Sequence, residues 1–268
     1  MSVDSRRNGR LALAFHTLFV IFLLAPLVVI ILVAFTPKGY LSYPTAGFSL
    51  RWFREILERP DFIDAFYHSL NLGIVSATLA TLLSIPAALA LARFRFAGRE
   101  FLNGLFLSPL MIPHIVLGVA FLRFFSEIGI GGTFASLVLA HVIIVMPYTL
   151  RLVLAAVMGL DRETERAAVS LGANPFTSFR RITLPQMLPG VAGGWMLAFI
   201  TSFDELTMTV FVASPSNTTL PVKMYNYIEQ TIDPLLASVS TVIIVLTVAF
   251  MLVLDRFYGL DRVLSGKG

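Results

Sequence analysis

Six stretches of this chain contain no Asp, Glu, Lys or Arg. They lie between Arg10 and Lys38, Asp64 and Arg93, Glu100 and Arg123, Glu127 and Arg151, Arg181 and Asp204, and Asp233 and Asp255, and each holds 21 to 28 residues. A helix needs about 20 apolar residues to cross the core of a bilayer. In hydrocarbon only helices and closed barrels satisfy their own backbone groups. Barrel strands alternate polar and apolar residues in units of about ten, and these runs do not alternate. The pattern therefore predicts an all-α integral membrane protein, a single transmembrane domain over 1–268 with six spans. The spans are placed at about 11–35, 66–92, 101–125, 134–157, 189–212 and 234–254.

Between the runs the chain changes character. The first apolar run is too long for a secretory signal, whose core holds only 7–15 residues, so it reads as an uncleaved span. In the segment after it, Trp52, Phe53, Ile56 and Leu57 fall at helical spacing with Arg51, Arg54, Glu55 and Glu58 elsewhere. That is the pattern of a short amphipathic helix at the membrane surface, or of an ordinary surface helix. Pro60 ends it and Asp61 is placed to cap the next helix. Pro109 and Pro113 in the third span and Pro147 in the fourth predict kinks, as hinges or static bends. Gly190, Gly193 and Gly194 open the fifth span and suggest close helix approach.

Composition agrees: 57% of residues are apolar and 13% charged, against roughly 25% charged in soluble domains. The chain has no cysteine, which excludes disulfides, thiol catalysis and thiolate metal sites. The net charge of +4 becomes informative once sorted by side. Fourteen of the 20 Lys and Arg residues fall in the segments at the two ends, 93–100, and 151–188, and six fall in the alternate segments. By the positive-inside rule both termini and the block 158–188 face the cytoplasm. The basic excess is then an orientation signal, and nucleic acid is not expected as a partner.

The block 158–188 is the longest polar interruption. Asp161 or Thr164 can cap a helix running to Leu171. Gly172 permits the positive φ that ends helices. Asn174 can cap, and Pro175 can start, a second short helix with Phe176 and Phe179 on one side, ending at Arg180 and Arg181 before a stop at Pro185. Long loops in compact proteins are usually functional, and apolar knobs on such a loop suit a partner's groove. The alternative is that both helices fold back onto their own bundle.

Here the residues resemble a family. Ala167 and Ala168, three residues, Gly172, nine residues, then Ile182, Thr183, Leu184 and Pro185 match the cytoplasmic motif of binding-protein-dependent ABC importer permeases. The family's Glu position holds Arg166, with Glu165 one place earlier. Residues 194–228 are similar to spermidine/putrescine-type permeases. The resemblance implies the six-helix type I importer fold in a bacterial inner membrane. It further implies a second permease subunit, two ATPase subunits and an extracytoplasmic binding protein. Docking to the ATPase would fall to Glu165, Arg166, Ala167, Ala168, Leu171, Gly172, Ala173, Phe176 and Phe179. The chain has no G-x-x-x-x-G-K-[ST] phosphate loop. The expectation is therefore a non-catalytic subunit with no cofactor or metal of its own, and ATP-Mg on the partner ATPases.

Asp204 and Glu205 interrupt the fifth span. Charges at such depth cost roughly 2.5–3.5 kcal/mol each on insertion scales and face cavities or partners. With Thr201 and Ser202 they can line a path for a small organic cation such as spermidine or putrescine. They can equally pair with Arg123 or with a partner subunit, or stabilise a broken helix. His114 and His141 read as hydrogen-bonded packing residues. Other substrates carried by related permeases (iron, aminophosphonate, other small solutes) fit the same pattern. A stand-alone secondary transporter is a less favoured reading, since it would show internal repeats and broken midplane helices and would not need the 165–185 block. No nucleophile, base or metal motif supports an intramembrane enzyme.

Overall fold

The six long uncharged runs are largely helical, and the helix ends follow local backbone chemistry. The computed structural model describes residues 9–258. Arg6, Arg7, Arg262 and Lys267, which helped to orient the two ends, lie outside the described residues. In order the helices are α1 (Gly9–Ala34), α2 (Arg51–Leu57), α3 (Pro60–Arg93), α4 (Arg99–Leu107), α5 (His114–Glu127) and α6 (Phe134–Met158). They continue as α7 (Arg162–Ser170), α8 (Pro175–Ser178), α9 (Leu184–Phe203), α10 (Thr209–Val212), α11 (Leu220–Ile228) and α12 (Leu235–Tyr258). Among the described residues there is no strand.

α1 (from Leu11), α3 and α6 are each long and apolar enough to cross a membrane. α6 runs uninterrupted through Pro147. The single span expected at 101–125 is corrected: Arg99–Leu110 and His114–Glu127 meet at a bend of 101°. Pro109 lies in a 3₁₀ turn and Pro113 caps α5. Pro113 lacks an amide hydrogen and steers the residue before it away from helical dihedrals, so the chain breaks rather than kinks. The fifth span is also corrected. It starts early, at Leu184, and stops at Phe203, five residues before α10. The segment 213–233, between the fifth and sixth expected spans, contains α11.

The chain divides into two compact units, one running up to Ile63 and taking in Asn226–Leu252, the other built on Asp64–Tyr225. In the first, α2 folds onto its own chain. Trp52 is buried and its Nε1 donates to the Lys38 carbonyl at 3.2 Å. The Phe53 ring lies 5.0 Å from that of Phe35. Pro60, not Asp61, opens α3, and Asp61 sits in its first turn.

The second unit is organised around α6. One core joins Leu137, Val138, Ile144 and Val145 of α6 to Leu72, Ala77 and Ala80 of α3, with Ala198 and Met208. A second joins Leu150, Val153 and Val157 to Ala88, Leu91 and Met187. In a bilayer the lipid is as apolar as leucine, so helices associate through close packing and buried hydrogen bonds rather than exclusion from water. Both devices are present. The hydroxyls of Ser84 and Thr149 share a buried 2.6 Å hydrogen bond between α3 and α6. A Cβ at Gly190 would lie 2.4 Å from Ala156 Cβ and 2.9 Å from the Leu152 carbonyl, and one at Gly194 would lie 3.2 Å from Thr149 Cα. Glycine is what lets α9 reach α6. Overpacking costs typically 1–3 kcal/mol, and here the obstacle includes backbone. Gly190→Val is expected to lower the thermal midpoint of the detergent-purified protein by several degrees, whereas Gly104→Ala, where nothing lies within 4 Å, leaves it unchanged. Equal midpoints for the two would refute the close-approach account.

Candidate functional site

The polar block folds as its local signals dictate. The Asp161 side chain caps α7 by accepting the Glu163 amide at 2.9 Å. Glu163 and Glu165 occupy the first turn, where the helix dipole favours negative charge. Gly172 has a φ of 90°, and its amide donates to the Val169 carbonyl at 2.9 Å while Ala173 donates to Ala168 at 3.0 Å. Asn174 Oδ1 then accepts the Thr177 amide at 2.7 Å, with Pro175 in the first turn of α8. The result is helix, tight left-handed turn, helix, with both ends capped.

The second helix does not stop at Pro185. α8 passes through a π turn, Phe179–Thr183, directly into α9, and Pro185 lies in the first turn of α9. Proline cannot donate to the preceding turn, and a wider turn just before it accommodates that missing bond without ending the helix.

The residues of the block divide between outward and inward. Leu171 is 90% exposed and Phe176 70%, and Arg166 and Ala167 are also exposed. Ala168 and Ala173 are half-buried. Phe176 and Phe179 differ in burial, so the two do not form one outward surface: Phe176 is exposed, whereas Phe179 packs against the core of Ala88, Leu91, Leu150 and Met187. Arg166 pairs with Glu163 at 2.6 Å on the exposed side. Glu165 turns inward: its Oε1 lies 2.5 Å from Arg93 Nη2 and accepts the Thr183 hydroxyl. Arg162 Nη2 donates to the Ala92 carbonyl at 3.1 Å. Sequence reasoning missed these ties, since Arg93 and Glu165 are 72 positions apart.

The second cluster surrounds the break after α9. The Glu205 side chain is 7% exposed. One carboxylate oxygen accepts the Met208 amide at 2.7 Å and the other lies 2.8 Å from His114 Nδ1. By taking the Met208 amide, Glu205 supplies locally what the interrupted helix would have supplied. His141 of α6 is fully buried and spans the break, with Nδ1 2.8 Å from the Ser202 hydroxyl and Nε2 3.0 Å from the Thr209 hydroxyl. Ser202 and Glu205 thus direct their polar groups into the chain. Thr201 is half-buried, and Asp204 is exposed at the end of α9. Arg123 pairs with Glu127 at 2.9 Å. A Cβ at Gly118 would meet Met208 O at 3.0 Å and Phe211 Cδ2 at 2.8 Å, so the close approach of α5 to Met208 depends on that glycine. Among the described residues, no group of three or more His, Cys, Asp or Glu is placed to hold a metal ion.

The family model described as binding-protein-dependent transport system inner membrane component matches residues 80–260, which takes in both clusters. The chain belongs to that family. This permease is 31% identical over 254 residues to the spermidine/putrescine transport system permease protein PotC of Escherichia coli (strain K12), covering 95% of this chain and 96% of that one. It is 32% identical over 230 residues to the putrescine transport system permease protein PotI of the same strain, covering 83% and 82%. Among solved structures, a chain of a bacterial ABC transporter involved in the import of the acidic polysaccharide alginate superposes with a TM-score of 0.75 at 13% identity. That match covers 96% of the permease and 100% of the alginate chain. The fold is therefore that of an ABC importer permease, and the protein is a membrane component of a binding-protein-dependent importer.

Proposed function

We propose that this permease carries a small organic cation, with spermidine or putrescine the first candidates, through an ATP-driven importer of the bacterial inner membrane. It crosses the membrane six times with both termini and the α7–α8 block in the cytoplasm. It pairs with a second, different permease subunit, and an extracytoplasmic binding protein delivers the substrate. Two separate ATPase subunits hydrolyse ATP-Mg, and this chain contributes no catalytic group. Its outward residues Arg166, Ala167, Leu171 and Phe176 enter a groove of one ATPase, with Gly172 setting the turn. The observation that carries the docking reading is the pair of large apolar side chains, Leu171 and Phe176, left exposed on an element whose backbone is otherwise capped and tied down.

For the substrate, support comes from the similarity to the two polyamine permeases, along 95% and 83% of the chain, and from Asp204. Its carboxylate is the exposed acid beside the break, next to a carboxylate already engaged. Purification of the assembled complex with its binding protein, followed by identification of the bound small molecule, tests the reading, and a ligand without a cationic amine would overturn it. Asp204→Asn is expected to leave membrane levels unchanged and to lower spermidine uptake at limiting concentration by about tenfold, equivalent to ~1.4 kcal/mol of lost attraction. Unchanged uptake kinetics would remove Asp204 from the path.

A further inference from the structure

The family motif asks for a Glu where this chain has Arg166, and offers Glu165 one position earlier. A shift of one residue on a helix turns a side chain by about 100°. The consequence is visible. Arg166 lies on the exposed side with Glu163, while Glu165 points into the protein, its side chain only 20% exposed. Its carboxylate meets two other elements at once: Arg93 at the end of α3, and Thr183 in the π turn that joins α8 to α9. The same helix end is held by two further side chains. Arg162 donates to the Ala92 carbonyl, and Arg99 Nε donates to the Leu91 carbonyl at 2.7 Å. These are carbonyls that the end of α3 cannot satisfy internally.

We infer that Glu165 is a positioning residue rather than a docking residue: its carboxylate ties α7 to the end of α3 and to the π turn, so that displacement of α7 by the ATPase moves both helices together. This rests on the docking reading of α7–α8 and adds the route by which a push on that element enters the bundle. Burial pushes the Glu165 carboxyl up, but the Thr183 hydroxyl and the Arg93 guanidinium outweigh it and hold the group below the usual carboxylate range. The tie is therefore ionic at neutral pH. A charge-assisted contact that is mostly sheltered from water holds its geometry better than an exposed pair.

The test separates transmission from assembly. In the complete complex, Glu165→Gln is expected to keep ATPase co-purification within about twofold of the unaltered permease. The stimulation of ATP hydrolysis by loaded binding protein is expected to fall about tenfold. Exchanging the charges, Arg93→Glu with Glu165→Arg, is expected to recover at least half of that stimulation. Loss of co-purification in step with stimulation would place Glu165 on the docking surface and overturn the proposal, as would full stimulation in Glu165→Gln or no recovery in the exchange. The chain has no native cysteine, so a second variant carries the test if the first does not accumulate. Arg93→Cys with Glu165→Cys should be uncoupled as free thiols and recoupled when a short bifunctional thiol reagent bridges them. Bridging that leaves the complex uncoupled also overturns the tie. The docking reading itself fails differently: Gly172→Pro, which disrupts the turn between α7 and α8, would then bring down the ATPase at normal yield.

Discussion

Gly172→Pro is expected to abolish transport while leaving the permease in the membrane. The left-handed φ of 90° at Gly172 is closed to proline, whose ring fixes φ near −65°. Proline also removes the amide that donates to Val169. Strain and lost bond together come to about 3 kcal/mol, a factor of roughly 100 in the population of the native turn. The turn sets the angle between α7 and α8, so Leu171 and Phe176 can no longer present one surface. None of the apolar runs is touched, and insertion should be normal. The measurement is co-purification of the ATPase with a tagged permease, alongside the amount of permease in isolated membranes. Normal ATPase yield with the variant would sink the docking reading. Placing charge on the α7 surface, with Ala167→Glu and Ala168→Glu, should give the same loss without disturbing the turn.

The second large effect is expected at Glu205 and concerns folding. Glu205→Ala leaves the Met208 amide buried without its acceptor, which costs about 1–3 kcal/mol, and removes the partner of His114. The break between α9 and α10 then loses the side chain that substitutes for its missing helical bonds. Purified protein should melt several degrees lower and accumulate less in membranes. Glu205→Gln keeps an oxygen for Met208 and should recover most of the stability. Asp204→Asn, one position away, should change neither quantity, since Asp204 is exposed. If Glu205→Ala melts like the unaltered protein, the carboxylate is not what holds the break.

The contrast between these neighbours shows what the sequence can convey. Asp161, Gly172, Asn174 and Pro175 were legible because each acts on its own backbone within a few residues, and the structure uses them as caps and turn. The long uncharged runs were legible because membrane thickness imposes a length. Glu165 was not legible as an inward residue. Its direction depends on Arg93 and Thr183, which come from other helices, and on a one-residue offset in the motif. Phe179 was misplaced for a related reason: its burial depends on Ala88, Leu91 and Leu150, which come from other helices. The end of α9 at Phe203 was open only as an alternative, a broken helix stabilised by the two acids, because an apolar run with two acids in it also reads as a span. Only the Glu205 contacts to His114 and Met208 show that the acids stop the helix. His141 was read correctly as a hydrogen-bonded packing residue, but its two partners, Ser202 and Thr209, lie 61 and 68 positions away.

The passage of α8 through the π turn into α9 has a mechanical consequence. Residues 175–203 are helical without a gap, which at about 1.5 Å per residue makes a rod on the order of 40 Å, longer than the roughly 30 Å of a bilayer core. One end carries Phe176 and the other ends beside Asp204. On the docking reading, a stroke applied at the first would reach the second with no loop between them to absorb it. The helical pitch changes at the π turn 179–183, where Thr183 meets Glu165.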